Sequence, residues 1–244
     1  MKRFLDVVLS FLALVVLAPF LLPVVVILRF TGEGEVFYIQ ERAGRGGNSF
    51  GLYKFATMLK NSPNIGAGEI TVRGDPRVLP FGQFLRKTKL NELPQLWNIF
   101  VGDMSVVGPR PMVPNTYSHY PSGARKKLNT IRPGLTGIGS IVFRDEERYL
   151  AGRNQPMEFY REHIIPYKSD LEVWFVDNNS IWLYFKAIMV TAWVVLFPAS
   201  KIVGKIFVEL YAFTVGVFIH YDMINYFGKT DFLPYYIKII RGYI

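Results

Sequence analysis

Residues 7–28 read VVLSFLALVVLAPFLLPVVVIL, twenty-two residues without a single charge. As a straight helix they would run about 33 Å, enough for a hydrocarbon core of roughly 30 Å. Lys2 and Arg3 precede the run and Arg29 follows it. The run is too long for a cleaved signal peptide, and no small-residue cleavage site follows it. A lipid membrane is the environment that its length and composition fit. Pro19 and Pro23 interrupt it. Each lacks an N–H and crowds the carbonyl four residues earlier, which predicts a kink at Ala18-Pro19. Two topologies are open: a kinked helix that spans the bilayer, or a re-entrant helix–break–helix that enters and leaves on one face. Positive charge at both ends favours the second, because Lys and Arg mark the cytoplasmic side.

The rest of the chain is basic. Of a net charge of +9, seven units fall within residues 29–150. A basic middle beside a membrane segment points to anionic headgroups or phosphate-bearing substrates. Mean hydropathy is +0.21 and aromatics reach 16%, which suits an interface with one apolar and one wet side. There is no cysteine, which excludes disulfides and thiolate chemistry. Zinc-finger spacing, basic-zipper heptads and ribonucleoprotein motifs are absent, so no nucleic-acid partner is expected. His119, His163 and His220 are dispersed and fit no metal spacing.

The pattern predicts short strands over Glu35–Ile39 and Phe50–Met58, joined by a glycine-rich turn from Ala43 to Ser49. Gly44-Arg45-Gly46-Gly47 is not a phosphate-cradling P-loop, because the closing Lys-Ser/Thr is missing. Residues 61–68 read as an exposed loop. Phe81, Phe84 and Leu85, then Leu93, Leu96, Trp97 and Phe100, fall at helical spacing. Between them, Asn91 is a good N-cap and Pro94 is tolerated in a first turn, so one helix ends near Leu90 and another starts at Asn91 or Glu92. Gly102 stops the second. Residues 105–115, with three prolines, read as irregular, and residues 132–137 as a turn. Residues 155–195 read as helical, with Trp174, Phe175, Trp182, Tyr184 and Phe185 as an aromatic face. The apolar tail from Lys201 reads as interfacial helices, against a competing short second span near residues 206–219.

The stretch from Leu85 to Pro111 carries the chemistry. It presents Glu92 at a helix start, Arg86, Lys87 and Lys89 just before it, and Arg110 on a proline-fixed loop. A carboxylate among cations suits a metal-bridged phosphate, with Glu92 on the metal and arginines on phosphate oxygens. The ordinary alternative is an N-cap, a first-turn acid and a solvated basic face. Arg144-Asp145-Glu146-Glu147-Arg148 reads as a salt-bridged surface turn, or as acids available to a metal or a sugar amine.

This stretch resembles the signature of the monotopic polyprenol-phosphate phosphoglycosyl transferases, the bacterial sugar transferases. The Pro-broken N-terminal segment at Ala18-Pro19 is similar to that family's re-entrant helix. Gln40–Arg45, Tyr53-Lys54-Phe55, Asp75-Pro76-Arg77, Gly108-Pro109-Arg110-Pro111 and Arg132–Gly137 come in the family's order, over roughly residues 1–195. The resemblance implies an α+β, mainly helical, membrane-associated (monotopic) fold with interfacial amphipathic helices. Its parts would be a re-entrant helix over 1–30, a catalytic domain over 31–200 and an apolar extension over 201–244. It implies an enzyme on the cytoplasmic face of the bacterial inner membrane that uses Mg²⁺. Such an enzyme moves a sugar 1-phosphate from a UDP-sugar to undecaprenyl phosphate, releasing UMP and starting a surface glycan. It assigns Glu92 to the metal, Arg86, Arg110, Lys54 and Arg132 to phosphates, and position 91 to the nucleophile. The extension is expected to add membrane contact or a homodimer surface.

The sequence departs from the family at two positions. Asn91 stands where the family carries the nucleophilic Asp, and an amide is a very weak nucleophile. Ala56 stands where Arg is usual. The first departure leaves several routes open: Glu92 or another acid such as Asp103 or one of Asp145, Glu146 and Glu147 as nucleophile, direct attack by polyprenol phosphate, or a silent variant that acts as a membrane scaffold or lipid-binding partner.

Overall fold

The computed structural model describes residues 1–65, 74–144, 150 and 155–197. The chain divides into two compact units, Met1–Val195 and Leu196–Ile244. The described helices and strands belong to the first, with the last helix ending at Leu196. The expectations for residues 145–149 and for the tail from Lys201 lie outside the described residues. The fold is mainly helical with two small sheets.

Helix α1 runs from Lys2 to Phe30, twenty-nine residues, or about 43 Å. It continues through both prolines, so the break expected at Ala18-Pro19 does not interrupt it. Each ring removes one backbone bond but already holds a helical φ, and both prolines lie on an exposed face. The opposite face carries a stripe at helical spacing, Asp6, Ser10, Leu14, Leu17, Leu21, Val24 and Leu28. Leu14 and Leu17 pack with Leu52, Leu96, Ile99 and Met104. Val24 and Leu28 pack with Phe55 and Leu85. The helix therefore lies along the domain from one end to the other. Phe11, Val16, Phe20 and Val26 stay exposed.

Polar groups pin its first turns. The buried Asp6 carboxylate accepts from Ser105 Oγ, the Val106 N–H and the Tyr184 hydroxyl, each at 2.9 Å. A buried charge is tolerated only when so satisfied. Arg3 donates to the Ile99 and Phe100 carbonyls at the C-terminus of the later helix Gln95–Val101, and Lys2 donates to Asn179 O at 2.9 Å.

Strands β1 (Phe37–Ala43) and β2 (Ser49–Phe55) form an antiparallel hairpin. They shift from the expected spans by a few residues, since ladder bonds define their ends. Helices α2 (Pro80–Lys87) and α3 (Gln95–Val101) come next, separated by a 3₁₀ turn over Leu90–Glu92. Gly102 ends α3 with φ at 108°, a conformation glycine supplies without cost. Before α2, Asp75 and Arg77 form a buried ion pair, and Arg77 Nη1 donates to Ser62 O at 2.7 Å and Ile65 O at 2.8 Å. The Asp-Pro-Arg motif thus fixes the loop ahead of α2.

The proline-rich segment is not wholly irregular. Ser105–Val107 forms strand β3, and Pro114–Ser118 forms the short helix α4. Helix α5 spans Ser122–Leu128. The expected turn at 132–137 contains β4 (Gly134–Thr136), which pairs in parallel with β3. Glycine serves close approach here: a Cβ on Gly134 would meet Gly108 N at 2.0 Å, and one on Gly137 would meet Gly108 O at 2.1 Å. The Gly108 N–H donates to Thr136 O, and the Gly134 N–H to Pro109 O. Helix α6 (Ile138–Val142), a π turn at Tyr160–Ile164, α7 (Ile165–Asp177) and α8 (Ile181–Leu196) complete the unit. The expected aromatic face divides. Phe175 and Tyr184 are buried, whereas Trp182 and Phe185 are exposed, because the chain turns at Asn178–Ser180 between α7 and α8.

Candidate active site

The turn between α2 and α3 presents Asn91 and Glu92. It is entered through Lys89, at φ 61°, the lone non-glycine residue with positive φ among the described residues. A side chain in that region costs roughly 1–2 kcal/mol. Asn91 is buried, and its Oδ1 has no hydrogen-bond partner.

Cations surround Glu92. Burial pushes its carboxyl up, but Arg110, Lys54, Lys89 and Arg42 outweigh that and hold it below the usual carboxylate range. Burial pushes the Lys54 ammonium down to about 7. Arg42, Arg110 and Arg86 push the same way, and Glu92 opposes them. Five basic groups thus share one small region with one carboxylate. Such an excess of positive charge is matched by a polyanion.

Each element contributes for a local reason. Arg42 and Lys54 project from the same face of the β1–β2 hairpin, since Arg42 pairs with Phe50 and Tyr38 with Lys54. Arg42 Nη1 donates to Pro111 O at 3.0 Å, and the Ala43 N–H donates to Met112 O, which ties the hairpin to the Gly-Pro-Arg-Pro loop. Arg86 sits in the last turn of α2, with Nη1 3.8 Å from Met58 Sδ. The Arg110 backbone N–H donates to Glu172 Oε1 at 3.0 Å, while its guanidinium is the strongest charge acting on Glu92.

Of the residues expected at the site, Asn91, Glu92, Lys54, Arg86 and Arg110 come together. Arg132 stands elsewhere: its Nε donates to Gly102 O at 2.7 Å, beside the C-terminus of α3 and about 10 Å along that helix from its start. Asp103 is at the same end, bonded to Asn98 Nδ2 at 3.1 Å. Ala56 is buried just after β2. Lys89, expected among the cations before Glu92, acts on it, and Arg42 joins the electrostatic set without having been assigned to it, as do two positioning groups. Asn98 stitches α3 to β2, accepting from the Tyr53 N–H at 3.0 Å and donating to Gly51 O at 2.8 Å. Glu172 holds the Arg110 backbone. Its helix also carries Asp170 and Asp177, so nothing in the sequence singled Glu172 out.

For a divalent cation, the described residues offer no cluster of three acids or histidines. They do offer Glu92 and the orphaned oxygen of Asn91, the residue before it in the chain. That donor set fits Mg²⁺, which takes one or two protein oxygens and completes its shell with water and substrate phosphate.

An apolar helix thus lies against a domain that gathers five basic groups around one carboxylate. The chain belongs to the bacterial sugar transferase family, whose model matches residues 1–198. It is similar to the exopolysaccharide production protein ExoY of Sinorhizobium fredii, 40% identical over 162 residues covering 61% of this chain and 71% of that protein. It is similar to the galactosyl transferase CpsE of Streptococcus agalactiae, 34% identical over 80% of this chain and 42% of that protein. A third relative is the UDP-glucose:undecaprenyl-phosphate glucose-1-phosphate transferase of Xanthomonas campestris, 31% identical over 78% of this chain and 38% of that protein. The chain spans about two fifths of the length of the latter two.

Proposed function

We propose that this chain transfers a sugar 1-phosphate from a UDP-sugar to undecaprenyl phosphate, releasing UMP and opening the synthesis of a surface glycan. The observation that carries this is the Glu92 pocket: one ionised carboxylate, an orphaned amide oxygen, and Lys54, Arg42, Arg86, Lys89 and Arg110 gathered to receive a diphosphate. The name of the Xanthomonas relative supports the same chemistry.

In this pocket the cations bind the donor's diphosphate and offset the charge that develops as its bridging bond breaks. Asn91 cannot take the nucleophile's part, so the acceptor's phosphate oxygen attacks the sugar-bearing phosphorus directly. One P–O bond forms to the lipid phosphate, the bond to UMP breaks, and UMP departs with the electron pair. Glu92 and Asn91 Oδ1 would hold Mg²⁺, which supplies Lewis-acid stabilisation of the phosphates when bound. Asn91 orients the reacting phosphate by its amide.

The reaction belongs at the cytoplasmic face of the inner membrane. Packing of α1 along the domain from Asp6 to Leu28 supports a one-sided insertion, because both helix ends stay beside the polar domain. Its exposed apolar face, from Phe11 to Val26, would enter the lipid. The amide at position 91 favours a second reading, a silent member that keeps the donor pocket and acts as a membrane scaffold or lipid-binding partner. UMP release from UDP-glucose, UDP-galactose and UDP-N-acetylgalactosamine, with Mg²⁺ and undecaprenyl phosphate, separates the two. Turnover lost in Glu92→Gln supports the transferase. No UMP from any donor, with recovery in Asn91→Asp, supports the silent form.

A further inference from the structure

Beside the Glu92 cluster lies an open cleft with Ala43, Gly44, Tyr117, Asn129, Arg110 and Glu172 on its walls. Arg110 belongs to both spaces, since it lines this cleft and its charge acts on Glu92. Glu172 is 1% exposed. One of its oxygens is used: Oε1 accepts from the Arg110 N–H at 3.0 Å. The other is not, because Oε2 is buried with no hydrogen-bond partner. Room is kept for this carboxyl, as a Cβ on Gly139 would meet Oε1 at 2.2 Å. The neighbouring charge is already engaged. Lys168, one turn earlier on α7, donates to the Tyr160 hydroxyl at 3.3 Å and sits over the Phe143 and Tyr160 rings. An unmatched acceptor in so buried a place costs free energy unless something else supplies a donor.

We infer that this cleft is the subsite for the donor's sugar ring, and that Glu172 Oε2 accepts a hydrogen bond from a ring hydroxyl reaching in from the mouth. The inference rests on the UDP-sugar reading of the Glu92 pocket and extends it to specificity. A diphosphate held on Arg110 has its sugar end adjacent to the cleft. The Tyr117 hydroxyl, bonded to Asn129 Oδ1 at 2.6 Å, fixes a polar wall against which epimeric hydroxyls differ. Burial raises the Glu172 carboxyl to about 7, opposed by the Arg110 N–H and by Lys168.

Calorimetric titration of the full-length protein in detergent with UDP, UDP-glucose and UDP-galactose tests the subsite. Wild type binds at least one of the two UDP-sugars more tightly than UDP. Glu172→Gln keeps an oxygen for the Arg110 N–H and replaces the spare acceptor by NH₂. It weakens the UDP-sugar about tenfold while UDP stays within twofold. Glu172→Met, if its unfolding profile matches wild type, does the same. Equal loss for UDP and UDP-sugar would assign Glu172 to holding the Arg110 loop alone and overturn the subsite. So would unchanged affinities, or wild-type binding of UDP as tight as of every UDP-sugar. Absence of any UDP binding by wild type would instead remove the donor class itself, and the subsite with it.

Discussion

Lys54 and Asn91 set the chemistry at the scale of single residues. Burial, helped by Arg42, pushes the Lys54 ammonium down to about 7. Between about pH 7 and 10.5 the unfolded chain carries a proton there that the folded chain has released. Stability of the unliganded protein therefore rises as pH climbs through that window. Anion affinity moves the opposite way, because the ammonium loses its charge. UDP affinity is expected to fall roughly tenfold between pH 6.5 and 8.5, and Lys54→Met to be weaker and flatter. Identical pH profiles for the two proteins would remove Lys54 from the phosphate site. Glu92, Arg86, Lys89 and Arg110 were legible because they fall within one stretch, Leu85 to Pro111, whereas Lys54 and position 91 entered only through the family resemblance. Glu172 was not, since its role exists only through the N–H of Arg110, sixty-two positions away. Arg132 shows the converse: its motif suggests a phosphate, whereas the folded chain sets it on the carbonyl of Gly102.

Elements carry those residues to one place, and some announced themselves better than others. Gly102 marked the end of α3, since such stops act locally, whereas Asn91 caps nothing: α3 starts at Gln95, and Asn91 lies in the preceding 3₁₀ turn with its side-chain oxygen unbonded. The β3–β4 pair went unmarked, because proline and glycine are turn signals at short range. In this fold the glycines instead let two backbones touch across 26 residues of separation, Gly108 to Gly134. A methyl group on Gly134 has nowhere to go. Gly134→Ala is expected to destabilise the protein by about 3 kcal/mol and to loosen Arg110, read as an earlier thermal unfolding midpoint and weaker UDP binding. A variant with wild-type midpoint and affinity would show that the ladder does not fix that loop. α1 also read only in part. Its apolar run predicted a membrane element, but the inward stripe from Asp6 to Leu28 is set by tertiary partners in β2, α2, α3 and β3.

At the scale of the molecule, α1 makes the domain and the membrane one object. Asp6 binds it to β3 and α8, and Arg3 binds it to the C-terminus of α3, whose other end comes just after Glu92. Single cysteines can be placed at Lys2 and Lys60, positions a spanning helix would separate. In sealed inverted membrane vesicles both are expected to react with an impermeant maleimide. Protection of the Lys2 position with labelling at Lys60 would instead establish a span.

The central claim, a phosphoglycosyl transferase pocket in which an amide replaces the nucleophile, is tested most directly by a UMP burst without acceptor. Purified wild type and Asn91→Asp are mixed with a UDP-sugar and Mg²⁺ in the absence of undecaprenyl phosphate, and UMP is followed over time. Wild type is expected to give no burst and to release UMP slowly once acceptor is added. Asn91→Asp is expected to release about one UMP per protein as a covalent phosphosugar forms. A stoichiometric burst from wild type, or none from a folded Asn91→Asp with any donor, would contradict the account.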